Sequence, residues 1–330
     1  RLGTSAAAFT AVLYLRGEDG RLFDFRRPRT QAAAAAGPAL RGLDPPLSQL
    51  LAGPFSLVLG SAGSQADIFL LLRQEVTRCL REAGDGALEG VSWSALVDRY
   101  VWIFGAENLH QLCQQALREA AQAALEKTGD PGAESALVRA LGRRLPAGVH
   151  VTLLWQPVLE RMAARSAGSR AVYTVQPSIR SVKDPPAVFV RDPARGRWSF
   201  AKVPERIEPE DVSVLRLLGG VMATDTFSSP VLTDDDHLLG VFVSPAFRPP
   251  WMNPYLASLR GRRTLFVGLS ALDWHHRLLL RWLFDRSLPD ESVVILPPEA
   301  ERAERLAWEE RGAGLGGEGR VYAVQRSEGE

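Results

Sequence analysis

Short apolar runs alternate with helical segments along most of this 330-residue sequence. Examples of these runs lie at 55–59, 149–154, 264–267 and 293–296. A strand without polar alternation is typical of a parallel sheet whose two faces are both covered. The alternation of such strands with helices therefore predicts an α/β fold with a mainly parallel sheet and helices on both faces.

The first run opens a strand–turn–helix unit. Residues 55–59 lead into a turn of small residues at 60–64, and a helix is predicted over 66–82. A small-residue turn lets the backbone approach a pyrophosphate, and the helix N-terminus offers unpaired N–H groups to negative charge. This unit predicts that the α/β fold is of the Rossmann type.

The composition changes near residue 50. Residues 1–50 predict an N-terminal hairpin extension and linker, the latter rich in Arg, Ala and Pro. Residues 51–325 predict the Rossmann-type domain, with a helical insertion over about 85–145. Within this domain we expect, among other elements, a strand over 263–269 and helices over 106–127, 276–284 and 299–311.

Charge and cysteine content exclude several classes of function. The net charge of +1 gives no reason to expect nucleic acid as a partner. No run of 18 uncharged apolar residues occurs, so we expect no membrane span. The two cysteines, Cys79 and Cys113, are too few for a structural zinc site, and we expect no metal. Two lone thiols favour a reducing, cytoplasmic location.

Five segments, in order, resemble the bacterial sirtuin-like family. The most specific one, residues 265–279, reads LFVGLSALDWHHRLL and is similar to the family's FLGYSLxDWxxRxL. The others are LGSAGS at 59–64, VTLLWQPVLE at 151–160, VLRLLGG at 214–220 and VLTDDDH at 231–237. The resemblance covers roughly residues 50–325. It implies a Rossmann-type fold and, for active members, cleavage of NAD in prokaryotic immune proteins.

The resemblance also implies where a cofactor, NAD or ADP-ribose, would bind. The turn after the first strand matches the family's Gly-Ala-Gly-x-Ser loop, and the turn at 268–270 matches one that contacts the ribose. The candidate cofactor-binding residues are Gly60, Ser61, Gly63, Ser64, Gly268 and Ser270. Ser61 and Ala62 replace the family's Ala and Gly, which predicts a reshaped loop. Asp273 is expected to cap the helix that follows the second turn.

The positions that carry the family's chemistry are occupied by apolar residues. Leu153 stands at the position of an Asn, Trp155 at that of an Asp, and Leu218 at that of the His that acts as general base. Leucine can neither accept a proton nor orient water. We therefore expect NAD cleavage to be lost, with His150 and His237 as fallback candidates for a relocated base.

Three hypotheses follow. The first is a catalytically degenerate sirtuin-like protein, a nucleotide-sensing or scaffolding component of a larger assembly in a bacterial defence or conflict system. This hypothesis implies a protein partner or self-association. It also implies a cleft in which no ionisable pair lies within hydrogen-bond reach. The second is an active NAD glycohydrolase with relocated residues. The third is an unrelated nucleotide-binding α/β protein, whose strand order would separate Gly60 from Gly268. The candidate contact aromatics are Trp93, Trp102, Trp251 and Trp308.

Overall fold

The chain divides into two compact units, Arg1–Pro46 and Leu47–Glu330. The computed structural model describes residues 53–60, 66–127, 141, 144–177, 186–203, 208, 210–222, 227–228, 231–232, 250–284, 288–289, 292–296, 302–313 and 321–325. All of these belong to the second unit. The hairpin extension and linker predicted over 1–50 lie outside the described residues.

A nine-stranded sheet runs through the described part of the second unit. In chain order its strands are β1 (Phe55–Leu59), β2 (Gly148–Thr152), β3 (Val172–Gln176), β4 (Ala187–Arg191), β5 (Trp198–Phe200), β6 (Val212–Arg216), β9 (Arg263–Val267), β10 (Ser292–Leu296) and β11 (Val321–Gln325). The spatial order is β11-β10-β9-β1-β2-β6-β3-β4-β5. All neighbours are parallel except β3 with β4 and β4 with β5, so the predicted mainly parallel sheet is confirmed. Two short strands, β7 (Gly220–Val221) and β8 (Phe227–Ser228), form a separate antiparallel pair.

Helices cover both faces of this sheet. They are α1 (Ala66–Glu82), α2 (Trp93–Phe104), α3 (Ala106–Lys127), α4 (Val158–Ser166), α5 (Asn253–Arg260), α6 (Trp274–Phe284) and α7 (Arg302–Ala313). Side chains of α5, α6 and α7 share one core cluster with Val58 of β1, whereas side chains of α4 share another with Leu57. Adjacent residues of one strand thus enter opposite cores, which confirms the Rossmann-type α/β fold.

The helices α1, α2 and α3 form a third core. Leu72, Leu96 and Leu117 are among its buried members, and each comes from a different helix. Trp155, from the loop after β2, and Val221 of β7 belong to the same cluster. The three helices therefore pack over the loops that follow β2 and β6.

The order of the strands fixes where a ligand would meet the sheet. From β1 the chain continues to β2 on one side, and it later returns to β9 on the other side. In open α/β sheets the crevice for a ligand lies beyond the carboxyl ends of the strands at such a switch point. Here that point is the gap between the turns that follow β1 and β9.

Candidate functional site

The turns after β1 and β9 touch each other through their glycines. The Gly60 N–H donates to the Val267 carbonyl at 2.7 Å. A Cβ on Gly60 would lie 2.2 Å from the Gly268 carbonyl oxygen, so only glycine fits at this position. Gly268 has a φ of 69°, which also favours glycine. The structure thus brings together two of the predicted cofactor-binding residues, and the strand order does not separate them as the third hypothesis required.

Several predicted site residues lie outside the described part of the chain. These are Ser61, Gly63 and Ser64 of the first turn and His237 of the fourth resembling segment. Their assignment to a cofactor loop, or to a fallback base, stays a prediction.

Ser270, the predicted ribose contact, is bonded within the protein. Its hydroxyl donates to Oε2 of Glu304, at 2.7 Å. The same hydroxyl oxygen accepts from the Leu272 N–H at 3.1 Å and from the Asp273 N–H at 3.3 Å. The Ser270 N–H donates to Nδ1 of His276 at 3.1 Å. Both polar groups of this turn residue that can donate a hydrogen bond therefore already have acceptors.

Asp273 caps α6, as predicted. Its Oδ1 accepts from the N–H groups of His275 and His276 at 2.8 and 3.3 Å. The hydrogen bond with the His275 ring holds the pKa of the Asp273 carboxyl well below its usual range. Burial lowers the pKa of His276, so its ring stays neutral and Nδ1 remains an acceptor for Ser270. The polar cluster at this turn thus fixes the start of α6.

The three positions to which the resemblance assigns the family's chemistry are packed into apolar cores. Leu153 is 1% exposed and belongs to the core that α5 and α6 cover, whereas Trp155 is 7% exposed and packs with α1 to α3. Leu218 is partly buried and packs against both cores. These three side chains are therefore structural parts of two cores.

The loops that carry these residues are also joined through their backbones. The Leu153 N–H donates to the Leu59 carbonyl at 2.9 Å, and the Val221 N–H donates to the Trp155 carbonyl at 2.8 Å. A Cβ on Gly220 would lie 2.2 Å from the same Trp155 carbonyl oxygen. The loop after β2 and the strand β7 are thus in close backbone contact, without space for a further group between them at Gly220.

A buried ion pair lies beneath these loops, near Leu153, Trp155 and Leu218. Arg216, at the end of β6, and Glu160, in α4, are both fully buried. Nη2 of Arg216 is 2.8 Å from Oε1 of Glu160, and Nε donates to the same oxygen at 2.9 Å.

Arg216 also binds the backbone of both loops. Nη1 donates to the carbonyls of Leu154 and Gly219 at 2.7 and 2.9 Å, and Nη2 donates to that of Gln156 at 3.0 Å. One side chain thus fixes the residues around Trp155 and Leu218. A lone Arg inside the apolar stretch 214–218 is the sequence signal that could have revealed this pair, because such a charge needs a partner.

His150, a fallback candidate for a base, lies inside the sheet. It is fully buried in β2, where Nδ1 accepts from the Leu57 N–H at 3.0 Å and Nε2 is 3.0 Å from the Pro146 carbonyl oxygen. Burial lowers the pKa of His150 to about 4. Both ring nitrogens are thus used by the backbone, and the imidazole links β1 to β2 instead of facing a ligand.

Neither a metal centre nor a membrane span is found in the described parts of the chain. No group of three or more His, Cys, Asp or Glu side chains among those residues is placed to hold a metal ion. None of their helices is both long enough and apolar enough to cross a bilayer. Cys113 is buried, which raises the pKa of its thiol to about 12, and Cys79 is half-buried.

The comparisons with known proteins bear on the part of the chain from β3 to α7. A family model for the SIR2-like domain matches residues 169–315. This range includes Leu218, Gly268, Ser270 and Glu304, whereas Gly60 and the loop after β2 precede it. A search of curated proteins gave no match. The match confirms the resemblance to the sirtuin-like family over this part of the chain.

Proposed function

We propose that this chain, which resembles the SIR2-like domain over residues 169–315, is a catalytically degenerate sirtuin-like protein. It acts as a component of a larger assembly in a bacterial defence or conflict system, as a scaffold or a nucleotide sensor. The observation that carries the proposal is the packing of Leu153, Trp155 and Leu218 into two cores, at the positions where the family holds polar groups.

NAD is the cofactor that SIR2-like domains typically bind, and its chemistry here would be the breakage of the bond between nicotinamide and ribose. Gly60 and Gly268, in the two turns where the resemblance places the cofactor, pack against each other, since a Cβ on Gly60 would lie 2.2 Å from the Gly268 carbonyl oxygen. The reacting end does not fit, because Leu153, Trp155 and Leu218 offer no side-chain group that can take a proton from a ribose hydroxyl. These three residues therefore do not fit the reaction of NAD.

The ionisable groups described near these loops support the same proposal. Glu160 is held by Arg216, and both nitrogens of His150 are bonded to the backbone. A general base must reach the proton it abstracts. Within the described residues, neither group has a free path to a ligand at the switch point. An active enzyme would need a base from elsewhere, for which His237 is the candidate.

A scaffold acts through its surface. Of the four tryptophans considered as contact residues, Trp308 is fully buried and Trp93 and Trp251 are half-buried. Trp102, near the end of α2, is 82% exposed, and the next residue, Ile103, is 49% exposed. An exposed Trp beside an exposed Ile is the kind of feature that protein interfaces enrich. We include this end of α2 in the proposed contact surface for a protein partner or a second copy.

Prolonged incubation of the purified protein with NAD, followed by chromatography for nicotinamide, tests the proposal. The expected result is no release above a blank without protein. His150→Asn is the control variant. Because His150 lies inside the sheet, this variant should also release no nicotinamide above the blank. Nicotinamide release by the wild-type protein would contradict the degenerate assignment, and its loss in His237→Ala would identify the relocated base.

A further inference from the structure

A carboxylate from a distant helix occupies the turn that follows β9. Glu304, in the first turn of α7, is 8% exposed. Its Oε2 accepts from the Ser270 hydroxyl at 2.7 Å and from the Leu272 N–H at 3.3 Å. Its Oε1 accepts from the Ala271 N–H and from Nε1 of Trp308, the latter at 2.8 Å. Four donors thus converge on one carboxylate.

Most of these donors are the groups that a ligand would use. Three of the four belong to the turn at 270–272, which leads into α6 beyond the carboxyl end of β9. Backbone N–H groups at the start of a helix, together with a hydroxyl, are a donor set that binds phosphate, carboxylate or sugar oxygens. The fourth donor to this carboxylate, the Trp308 indole, is neutral too. Among the described residues, the turn therefore binds this carboxyl group through neutral donors, as an anion-binding turn does.

We propose that Glu304 is an internal occupant of the turn at 270–272, and that its carboxylate takes the place of the oxygens of a nucleotide or a small carboxylate. This inference rests on the proposed function. Of the two roles proposed for the protein, it favours the scaffold over the nucleotide sensor. A nucleotide that used Ser270 would have to displace Glu304. The displaced carboxylate would lose four hydrogen bonds in a largely buried place, and leaving a buried charge without partners is costly.

Replacement of Glu304 tests this role, with acetate and ADP-ribose as probes. Glu304→Ala removes a group of the size of acetate and takes an acceptor away from all four donors, of which the Leu272 N–H keeps the Ser270 hydroxyl oxygen. We expect a lower melting temperature than that of the wild type, a recovery in acetate, and no effect of acetate on the wild-type protein. We also expect ADP-ribose to bind Glu304→Ala at least about tenfold more tightly than the wild type in calorimetry.

Two further variants separate this role from a general loss of charge or of stability. Glu107→Ala is the matched control, because Glu107 is also an acidic residue in the first turn of a helix, α3, but is exposed. It should show neither the loss in melting temperature nor the response to acetate. If Glu304→Ala does not fold, Glu304→Gln keeps the side-chain volume. The amide presents an NH₂ group where Oε2 accepted, so this variant should melt at a lower temperature than the wild type and acetate should not restore it.

The outcomes distinguish this inference from the proposed function. ADP-ribose binding to the wild type as tightly as to Glu304→Ala would overturn the occupant role. The occupant role would also be overturned if acetate changed the melting temperatures of the wild type and of Glu304→Ala equally. It would likewise be overturned if acetate changed neither melting temperature. None of these results depends on nicotinamide release, whose detection would overturn the degenerate assignment instead.

Discussion

The Arg216 side chain joins three loop carbonyls and one carboxylate in a place that water does not reach. A buried ion pair is weak evidence for net stability, because its members lose hydration. What the pair does here is local: it holds the loop after β2 and the loop after β6 in one arrangement. Leu153, Trp155 and Leu218 are then kept inside their cores rather than at the surface of a cleft.

Removal of one partner of this pair should lower the free energy of unfolding much more than removal of both partners. Arg216→Met leaves Glu160 buried without its partner, and is expected to lower the free energy of unfolding by about 3–5 kcal/mol. The double variant Arg216→Met/Glu160→Leu should be more stable than Arg216→Met alone, because no charge is left without a partner. Chemical denaturation of the four proteins measures the coupling.

The exposed pair of Arg78 and Glu75 in α1 provides the control for that cycle. Arg78 is 53% and Glu75 39% exposed at the side chain. Arg78→Met should change the free energy of unfolding far less than Arg216→Met, because surface pairs are screened by water. Equal effects of the two substitutions would contradict the role assigned to Arg216.

His150 should make the stability of the second unit depend on pH. Its folded-state pKa of about 4 lies below the ordinary value of 6.5. Between these values the unfolded chain binds a proton that the folded chain excludes, so stability falls as the pH falls. The slope from this one group is at most about 1.4 kcal/mol per pH unit.

The substitution His150→Asn isolates this contribution. Asn retains an oxygen acceptor for the Leu57 N–H but does not titrate, so the loss of stability between pH 6.5 and about 4 should become smaller. Denaturation midpoints measured across this range decide the matter, and an unchanged slope in His150→Asn would contradict the burial of a neutral ring.

The contact between the turns after β1 and β9 depends on the absence of a side chain at Gly60. Gly60→Ala places a Cβ against the Gly268 carbonyl, and the backbone of one turn must shift. We expect a loss of about 1–3 kcal/mol in the free energy of unfolding. Gly53→Ala is the control, because a Cβ there meets nothing within 4 Å. Equal stability of the two variants in thermal denaturation would exclude the close approach.

At the scale of the elements, local signals were sufficient for the long helices. The predicted helices over 66–82 and 106–127 are confirmed with the same bounds in α1 and α3. The strand predicted over 263–269 ends at Val267 because Gly268 turns the chain with a positive φ. The helix predicted over 276–284 begins at Trp274, directly after the Asp273 cap. The differences between prediction and structure lie at the ends of elements. There the conformation of one residue decides whether the strand or helix continues.

The start of α2 offers a test at this scale. Ser92 is its N-cap, and its hydroxyl oxygen accepts from the Ala95 N–H at 3.3 Å. Ser92→Ala should lower the free energy of unfolding by about 1 kcal/mol, because this N–H loses its acceptor. Ser94→Ala, inside the helix, should have a smaller effect. A larger loss for Ser94→Ala in chemical denaturation would show that the cap is not at Ser92.

At the scale of the whole molecule, the alternation of strands and helices predicted the class of fold, and the resembling segments indicated which turns would meet. Gly60 and Gly268 could be expected at one site, since both follow buried parallel strands. The acceptor for Ser270 could not be predicted, because Glu304 lies 34 residues along the chain in a different helix. Nor could Glu160 be assigned to Arg216 without the packing of α4 against the sheet. These contacts depend on the tertiary arrangement and leave no local pattern.

Hydrogen–deuterium exchange of residues 152–160 and 214–222, measured with and without NAD, tests the packed site most directly. In the structure the N–H groups of Leu153, Leu217 and Val221 all donate to backbone carbonyls. We predict slow exchange in both segments and no change when NAD is added. Fast exchange without NAD, or protection that appears only with NAD, would contradict a site closed by its own side chains.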